Sequence, residues 1–455
     1  MSGVENNRAF ARPLLPEILS RIMEFLSDDR AALRSALLVN KLWAAEAMTV
    51  LWQKPPVEAL ASSPDDHRQF YARQVRELDF GGDKDGKHHS AFRSLEFPRL
   101  RRITIDFYRP NDGEKLWLDQ YIQPNLEEFI FYGAEPAGDL LSLLETRCPR
   151  LRCVLIGYVW EGVSASRLIK FFDRCKSLRS ICLPSNMERF LDDQMFAYFA
   201  RRHDLEELEF GKTITYEMVE KALDGIQSPF KYIQRLTVPA ESKALKLLAP
   251  TIKSVTTLEL NVEDSQFNPL PLVSSLVNLR ELEIASQWAS WSATDFLALK
   301  GLKNLRRLEI YPIEDDLTSP NLTDPDFVQI FANMSKLQQF SFQVQCTLST
   351  AAITSLGQHC RQLTSCDLLG SYYLNSWLNI ERPLFPHLRQ LELGAIIPEE
   401  QGPQPPSSTT RAQKLAHLIV EHAPNLEQLQ LWDRDEFSKE VVAAFKAETG
   451  NEYNP

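Results

Sequence analysis

From about residue 75 onward the apolar positions follow one spacing: an apolar residue, two others, an apolar residue, one other, an apolar residue. Fourteen copies run from Val75-Leu78-Phe80, through Leu205-Leu208-Phe210 and Leu305-Leu308-Ile310, to Leu426-Leu429-Leu431. The last two apolar positions of each copy lie two apart, the period that puts them on one face of a β-strand. Helical patterns separate many copies, as in Asp139–Leu144, Ser166–Phe172, Gln194–Phe199, Asp326–Phe331 and Ala412–His422. Each unit therefore reads as a strand followed by a helix. A length of 455 residues alone suggests about three globular domains. The fixed repeat replaces that expectation with one array of stacked units, each burying its apolar face against the next.

A different pattern precedes the array. Leu15, Ile18, Leu19, Ile22 and Phe25 with Leu26 recur at three-and-four spacing, with Pro16 in the first turn, where the missing amide costs nothing. Asp28 or Asp29 then caps a second helix carrying Leu33, Ala36 and Leu37, and Asn40 a third carrying Trp43, Ala47, Val50 and Leu51. Three helices this short bury too little surface to enclose a core of their own, so they are expected to present an apolar face to a partner.

The thirteen steps from Val75 to Leu426 span 351 residues, a mean of 27. That lies inside the roughly 20 to 29 residue period of leucine-rich repeats. The order of residues in 14–52 resembles the F-box, by which substrate receptors attach to the Skp adaptor of Skp-cullin-F-box ubiquitin ligases. The matching positions are Glu17, Ile18 and Leu19, then Ile22 and Leu26, Leu33, then Leu38, Val39, Lys41 and Trp43, then Leu51 and Trp52. Two departures stand out: Pro16 sits one position late, as in variants of filamentous fungi, and Arg30-Ala31 replaces an acidic-leucine pair. Units such as Arg147-Cys148-Pro149-Arg150-Leu151, Arg174-Cys175-Lys176-Ser177-Leu178 and His359-Cys360-Arg361-Gln362-Leu363 resemble the repeats of the F-box leucine-rich-repeat family.

This resemblance implies an α/β fold, a three-helix F-box followed by a leucine-rich-repeat horseshoe of about fourteen strand-helix units. The boundaries expected are a tail at 1–12, the F-box at 13–54, a connector at 55–74 with a short helix from Asp66 to Arg73, the repeats at 75–435, and a C-terminal helix and tail at 436–455. It implies a non-catalytic substrate receptor that binds the Skp adaptor, and through it a cullin, with Leu15, Pro16, Ile18, Leu19, Ile22, Leu38, Val39, Lys41, Trp43, Leu51 and Trp52. Two alternatives stay open. One is a leucine-rich-repeat scaffold unrelated to ubiquitination whose N-terminal helices serve as a cap; the other is an F-box protein acting outside a ligase.

Composition narrows the partners. Lys and Arg number 50 against 61 Asp and Glu, a formal charge of -11, which offers no basic face to nucleic acid or an anionic membrane. No signal-type apolar run opens the sequence, so a cytoplasmic or nuclear location is expected, with the sequons at Asn321 and Asn333 unmodified. The seven cysteines, Cys148, Cys153, Cys175, Cys182, Cys346, Cys360 and Cys366, show no metal or redox spacing and are expected to be reduced, with Cys148, Cys175, Cys360 and Cys366 packed in the core. Four stretches interrupt the repeat: residues 53–74, the Gly81–Ser90 loop, which no Gly-Lys-Ser/Thr follows, 312–325 and the proline-rich 394–410. The histidines are scattered, and neither a nucleophile-base motif nor a cofactor motif is present; no enzyme chemistry, cofactor or metal is expected.

Function is then expected on the strand residues that point away from the ladder. Strands six to ten place Glu207, Glu209, Glu259, Glu281, Glu283 and Glu309 there, relieved only by Arg235 and Arg307, while strands three to five place the uncharged Ile130, Cys153, Leu155 and Cys182. Aromatic residues follow several later strands: Trp288, Trp291, Tyr311, Tyr372, Tyr373, Trp377 and Trp432. The six glutamates with Trp288, Trp291 and Tyr311 are the candidate surface for a target protein carrying a basic segment.

Overall fold

Of the helices before the repeats, the second and third begin at side-chain caps. The computed structural model describes residues 15–110, 114–134, 136–157, 163–264, 266–287, 289–314, 316–398 and 408–450; the tail at 1–12, part of 394–410 and the last five residues lie outside these. Helix α1 is Pro16–Phe25, α2 Arg30–Ala36 and α3 Lys41–Leu51. The Asp29 carboxylate accepts the Ala32 amide at 2.9 Å and the Asn40 side chain accepts the Trp43 amide at 3.0 Å. The three helices do enclose a small core: Leu19, Met23, Leu33, Ala36, Ala47 and Val50 are buried together, and Leu26, Leu37, Trp43 and Leu51 pack against it. Ala36 and Ala47 carry no bulk beyond Cβ, which lets these short helices approach closely. The connector holds two helices, α4 (Val57–Ala61) and α5 (Asp65–Ala72), where the sequence predicts one.

The chain divides into two compact units, Met1–Cys182 and Leu183–Pro455. In the first, strands β1 (Glu77–Phe80), β2 (Arg102–Ile105), β3 (Glu128–Phe131), β4 (Cys153–Ile156) and β5 (Ser180–Leu183) pair in parallel and in chain order. Leu78, Ile103, Phe129, Val154 and Ile181 fall in one register row, each buried. The second unit contains β6 (Glu207–Phe210), β7 (Arg235–Ala240), β8 (Thr257–Val262), β9 (Glu281–Ser286), β10 (Ala289–Ser290), β11 (Arg307–Pro312), β12 (Leu317–Thr318), β13 (Gln339–Phe342), β14 (Ser365–Tyr372), β15 (Gln390–Ile396) and β16 (Gln428–Leu431). Nine of these form a parallel ladder in chain order within the unit, and β10 pairs with β12 apart from it. All fourteen ladder strands fall on the predicted triplets, and the fold is an α/β leucine-rich-repeat solenoid.

Helices stand where the pattern places them, at Leu140–Arg147, Ala165–Arg174, Asp193–Arg201, Asp324–Phe331 and Ser408–His422. Between β7 and β9 they shrink to the single turns Leu245–Leu248 and Leu270–Val273. The steps there, Arg235 to Thr257 and Thr257 to Glu281, are 22 and 24 residues by subtraction, too short for a strand, two turns and a longer helix. Gly81–Ser90, expected as a loop, contains a short helix at Gly82–Gly86. It is entered through Gly82 at φ +64°, a conformation that a residue with Cβ rarely adopts, and the Asp85 carboxylate receives the Gly81 amide at 3.0 Å.

One backbone device joins successive repeats. Within each unit, the carbonyl just before a strand accepts two consecutive amides of the next: Arg76 takes those of Arg101 and Arg102, Arg101 those of Glu127 and Glu128, and Arg280 those of Arg306 and Arg307. Side chains add a parallel ladder, in which the residue before the first apolar position donates to a carbonyl one repeat back. Asn125 reaches Pro98, Asn278 reaches Lys253, Asn304 reaches Val277 and Asn425 reaches Pro386, at 2.7–3.2 Å. The first repeat has no predecessor, and Gln53, just after α3, supplies the missing carbonyl to Arg76 and Glu77 at 2.8 and 2.9 Å.

All seven cysteines are free thiols, and Cys148, Cys175, Cys360 and Cys366 are buried as expected. Burial pushes Cys148 and Cys360 up to about 12. No helix among the described residues is long and apolar enough to cross a membrane.

Two measurements follow. Leu308→Ala removes a fully buried ladder residue and should lower stability in a denaturant melt by about 2–5 kcal/mol, whereas Asn278→Ala, which removes one cross-repeat bond, should cost about 1 kcal/mol. In native protein at neutral pH, an alkylating reagent should modify the half-buried Cys153 and Cys346 first, and Cys148, Cys360 and Cys366 only on unfolding.

Candidate functional site

Two surfaces collect the candidate residues, one in each unit. In the first unit, the helical module separates its apolar residues into two sets. Leu19 is fully buried, and Ile22, Trp43, Leu51 and Trp52 are half-buried. Trp52 stacks on Tyr71 of α5, ring centres 4.0 Å apart and 11° between planes, and its Nε1–H donates to the Met48 sulfur at 3.0 Å. Leu19, Trp43 and Leu51 hold the module together, and Trp52 joins it to the connector helix α5. Leu15 (62% exposed), Ile18 (47%), Leu38 (88%) and Val39 (56%) instead face solvent, together with Pro16 and Lys41.

Phe25 (83%) and Leu42 (38%) join that exposed set and were not among the predicted contacts. Their signal was present: Phe25 lies seven residues from Ile18, two turns along the same helix. Six of the eighteen large hydrophobic residues exposed among those described fall within residues 15–42. Isolated exposed apolar residues are ordinary, but a concentration of this kind on one short module marks an interaction surface.

The second surface is the ladder's other face in the second unit. Register aligns Glu209, Thr237, Glu259, Glu283, Glu309, Ser341, Asp367, Glu392 and Gln430 in one row across successive strands. Six of the nine are carboxylates. Asp367 and Glu392 extend the acidic row beyond the strands picked from sequence, because only the register shows which positions line up. Glu259, Glu283 and Glu309 are direct neighbours, and like charges opposite one another are repulsive.

Arg307 offsets that repulsion. Its Nε and Nη2 donate to the two oxygens of Glu309 at 2.7 and 2.9 Å, and Nη2 also reaches Glu283 at 3.1 Å. The Tyr311 hydroxyl donates to the other Glu283 oxygen at 2.5 Å. The hydrogen bonds and charge of Glu309, with Glu283 and Glu259, hold the Arg307 guanidinium firmly protonated; burial, then the Glu283 bond, pushes the Tyr311 hydroxyl above its usual range. Glu207 pairs with Arg235 at 3.2 Å, and Glu259 accepts from Thr237 at 3.1 Å. Further along the row, Asp367 accepts from Ser341 and Gln343 at 2.8 and 3.0 Å, and burial followed by the Asp367 charge raises the Glu392 carboxyl.

Of the six predicted glutamates, Glu209, Glu259 and Glu281 have no ion-pair partner among the described residues, Glu207 pairs with Arg235, and Glu283 and Glu309 are held by Arg307. The predicted rim of aromatic anchors does not form. Trp291 is 5% exposed, packed against Phe296 at 5.6 Å, and its amide bonds to Thr318 of β12 at 2.9 Å. Pairing of β10 with β12 draws this segment inward, which no local pattern foretells. Tyr372 and Trp377 are fully buried, Tyr311 serves the glutamate row, and only Tyr373 and Trp432 remain exposed. Trp288 lies outside the described residues. The uncharged positions Ile130, Cys153 and Leu155 are half-buried in the first unit, and Cys182 is buried.

No family model and no curated relative matches the chain. Among solved structures it is similar to a chain of the Rad7 and Elc1 complex of yeast, at 14% identity over 92% of this chain and 93% of that one, TM-score 0.39. A leucine-rich-repeat protein of Leptospira interrogans aligns at 14% identity over 82% and 94%, TM-score 0.39. The leucine-rich repeat-containing protein LegL7 of Legionella pneumophila aligns at 9% over 70% and 98%, TM-score 0.31.

Because Arg307 relieves three adjacent carboxylates, Arg307→Met should destabilise the chain by about 1–3 kcal/mol, between the values for exposed and buried pairs. The loss should shrink in acid, where protonated glutamates no longer repel. Equal loss at neutral and acid pH in denaturant melts would assign the arginine a packing role alone.

Proposed function

We propose that the chain is the substrate-recognition subunit of a Skp-cullin-F-box ubiquitin ligase, acting in the cytoplasm or nucleus. The observation that carries this reading is the set of solvent-facing apolar side chains on the helical module: Leu15, Ile18, Phe25, Leu38, Val39 and Leu42. Three of the six, Ile18, Leu38 and Val39, are positions where the sequence resembles the F-box. A module with its own core has no folding reason to leave them outside, so a partner surface accounts for them.

In this reading the chain carries out no chemistry of its own. It holds a target near a separately recruited conjugating enzyme, raising the effective concentration of the acceptor lysine. The target side is the acidic row of the second unit. Glu209 and Glu281 are open to a basic segment, and the Arg307-held glutamates set the field around them.

A scaffold reading, in which the helices only cap the repeats, draws on one observation: Gln53 supplies the carbonyl a preceding repeat would provide. Capping leaves Leu38 and Ile18 without a role, and the two readings separate there. Ile18→Asp with Leu38→Asp lies on the exposed set and should leave the melt unchanged while abolishing co-elution with the Skp adaptor. A hot-spot contact at an interface is worth at least about 2 kcal/mol, roughly thirtyfold in affinity. Leu19→Asp should unfold the module instead. A doubly substituted chain that still co-elutes with the adaptor overturns the ligase reading and leaves the scaffold.

A further inference from the structure

One buried histidine of the first unit takes part in neither surface. His89 is 5% exposed and belongs to the segment 82–93, which follows β1 and holds the short helix Gly82–Gly86 and the turn Ser90–Phe92. Its ring stacks on Phe80 at 4.0 Å, with the rings of Tyr121 and Tyr108 at 5.7 and 5.9 Å. Its Nδ1 lies 3.0 Å from the Tyr121 hydroxyl, and its Nε2 is buried without a hydrogen-bond partner. The segment fits Tyr108 at a second point, since a Cβ at Gly86 would overlap that ring.

This packing suits only the neutral ring. Whichever nitrogen carries the proton of the neutral form, the imidazolium must donate from both. The Tyr121 oxygen receives one of these donors; the other meets no acceptor, and a buried charged donor left so is costly. Among the described residues, carboxylates pair with His67 and His417 but not with His89. The charged side chains lining the cavity beside it are Lys87, Arg93, Glu114 and Lys115, and His88 precedes it in the chain. Burial, then the charge of His88, pushes the His89 ring down to about 3.

We propose that His89 is an acid-operated latch, whose protonation releases segment 82–93 from Phe80, Tyr108 and Tyr121. The released ring takes its proton near the ordinary 6.5. Because the closed form binds that proton more weakly, closure is fully favoured above pH 6.5. It loses a factor of about ten for each pH unit below that, down to about 3. The latch rests on no part of the ligase reading.

Hydrogen exchange of the full chain tests this, read by mass spectrometry on peptides covering 82–93 and corrected for intrinsic rates. The opening constant should rise about thirtyfold from pH 7.5 to 5, before most carboxylates titrate, while peptides covering β13 change little. His89→Gln, which still receives the Tyr121 hydroxyl, and His89→Phe, which keeps a ring on Phe80, do not titrate and should give flat profiles. His88→Gln should keep the slope of the parent. A flat profile in the parent chain, or the parent's slope in either non-titrating variant, overturns the latch.

Discussion

The double hydrogen bond at the start of each strand is the contact on which the rest depends. One carbonyl takes two amides of the following repeat, which fixes the register of the strand pairs within each unit at the same residue. Since a shift of one residue would turn the apolar set to the wrong face, this register is what keeps the leucine ladder inside. Repeats so joined bury their triplets only against neighbours, and stability accumulates repeat by repeat rather than around a single centre. The cross-repeat bonds of Asn125, Asn278, Asn304 and Asn425 reinforce the same spacing on the turn side.

A stack of this kind must be closed where it starts, and the helical module does so through Gln53 and the Trp52–Tyr71 stack. The module thereby divides its apolar residues. One set faces inward around Leu19 and Ala47, and the other remains outside around Ile18 and Leu38. Packing of the module and its exposed apolar surface are therefore carried by different side chains, so each is open to change without the other.

The same register that aligns the core also aligns the charges. Placing carboxylates at one strand position in successive repeats creates a row of like charges at strand spacing, and Arg307 and Tyr311 saturate the middle of it. Within the row, Glu209 and Glu259 have no ion-pair partner among the described residues, and Glu281, in the neighbouring row, lies opposite Arg307. The acidic row is thus partly structural, and its field is weaker than a count of glutamates suggests.

Periodicity in the chain determined the fourteen strands, the main helices, the burial of four cysteines and the helical start, because each depends on local spacing that any stacked repeat must obey. The cap residues Asp29 and Asn40 were legible for the same reason, since a short side-chain oxygen before an apolar run satisfies the first amides. The tertiary structure alone decided which apolar residues of the module face outward, because a three-and-four stripe marks a face but not which of two surfaces will cover it. It also decided that Trp291, Tyr372 and Trp377 turn inward, and that Arg307 ties Glu283 to Glu309. These depend on pairings between residues a full repeat or more apart, and no pattern within one repeat encodes them.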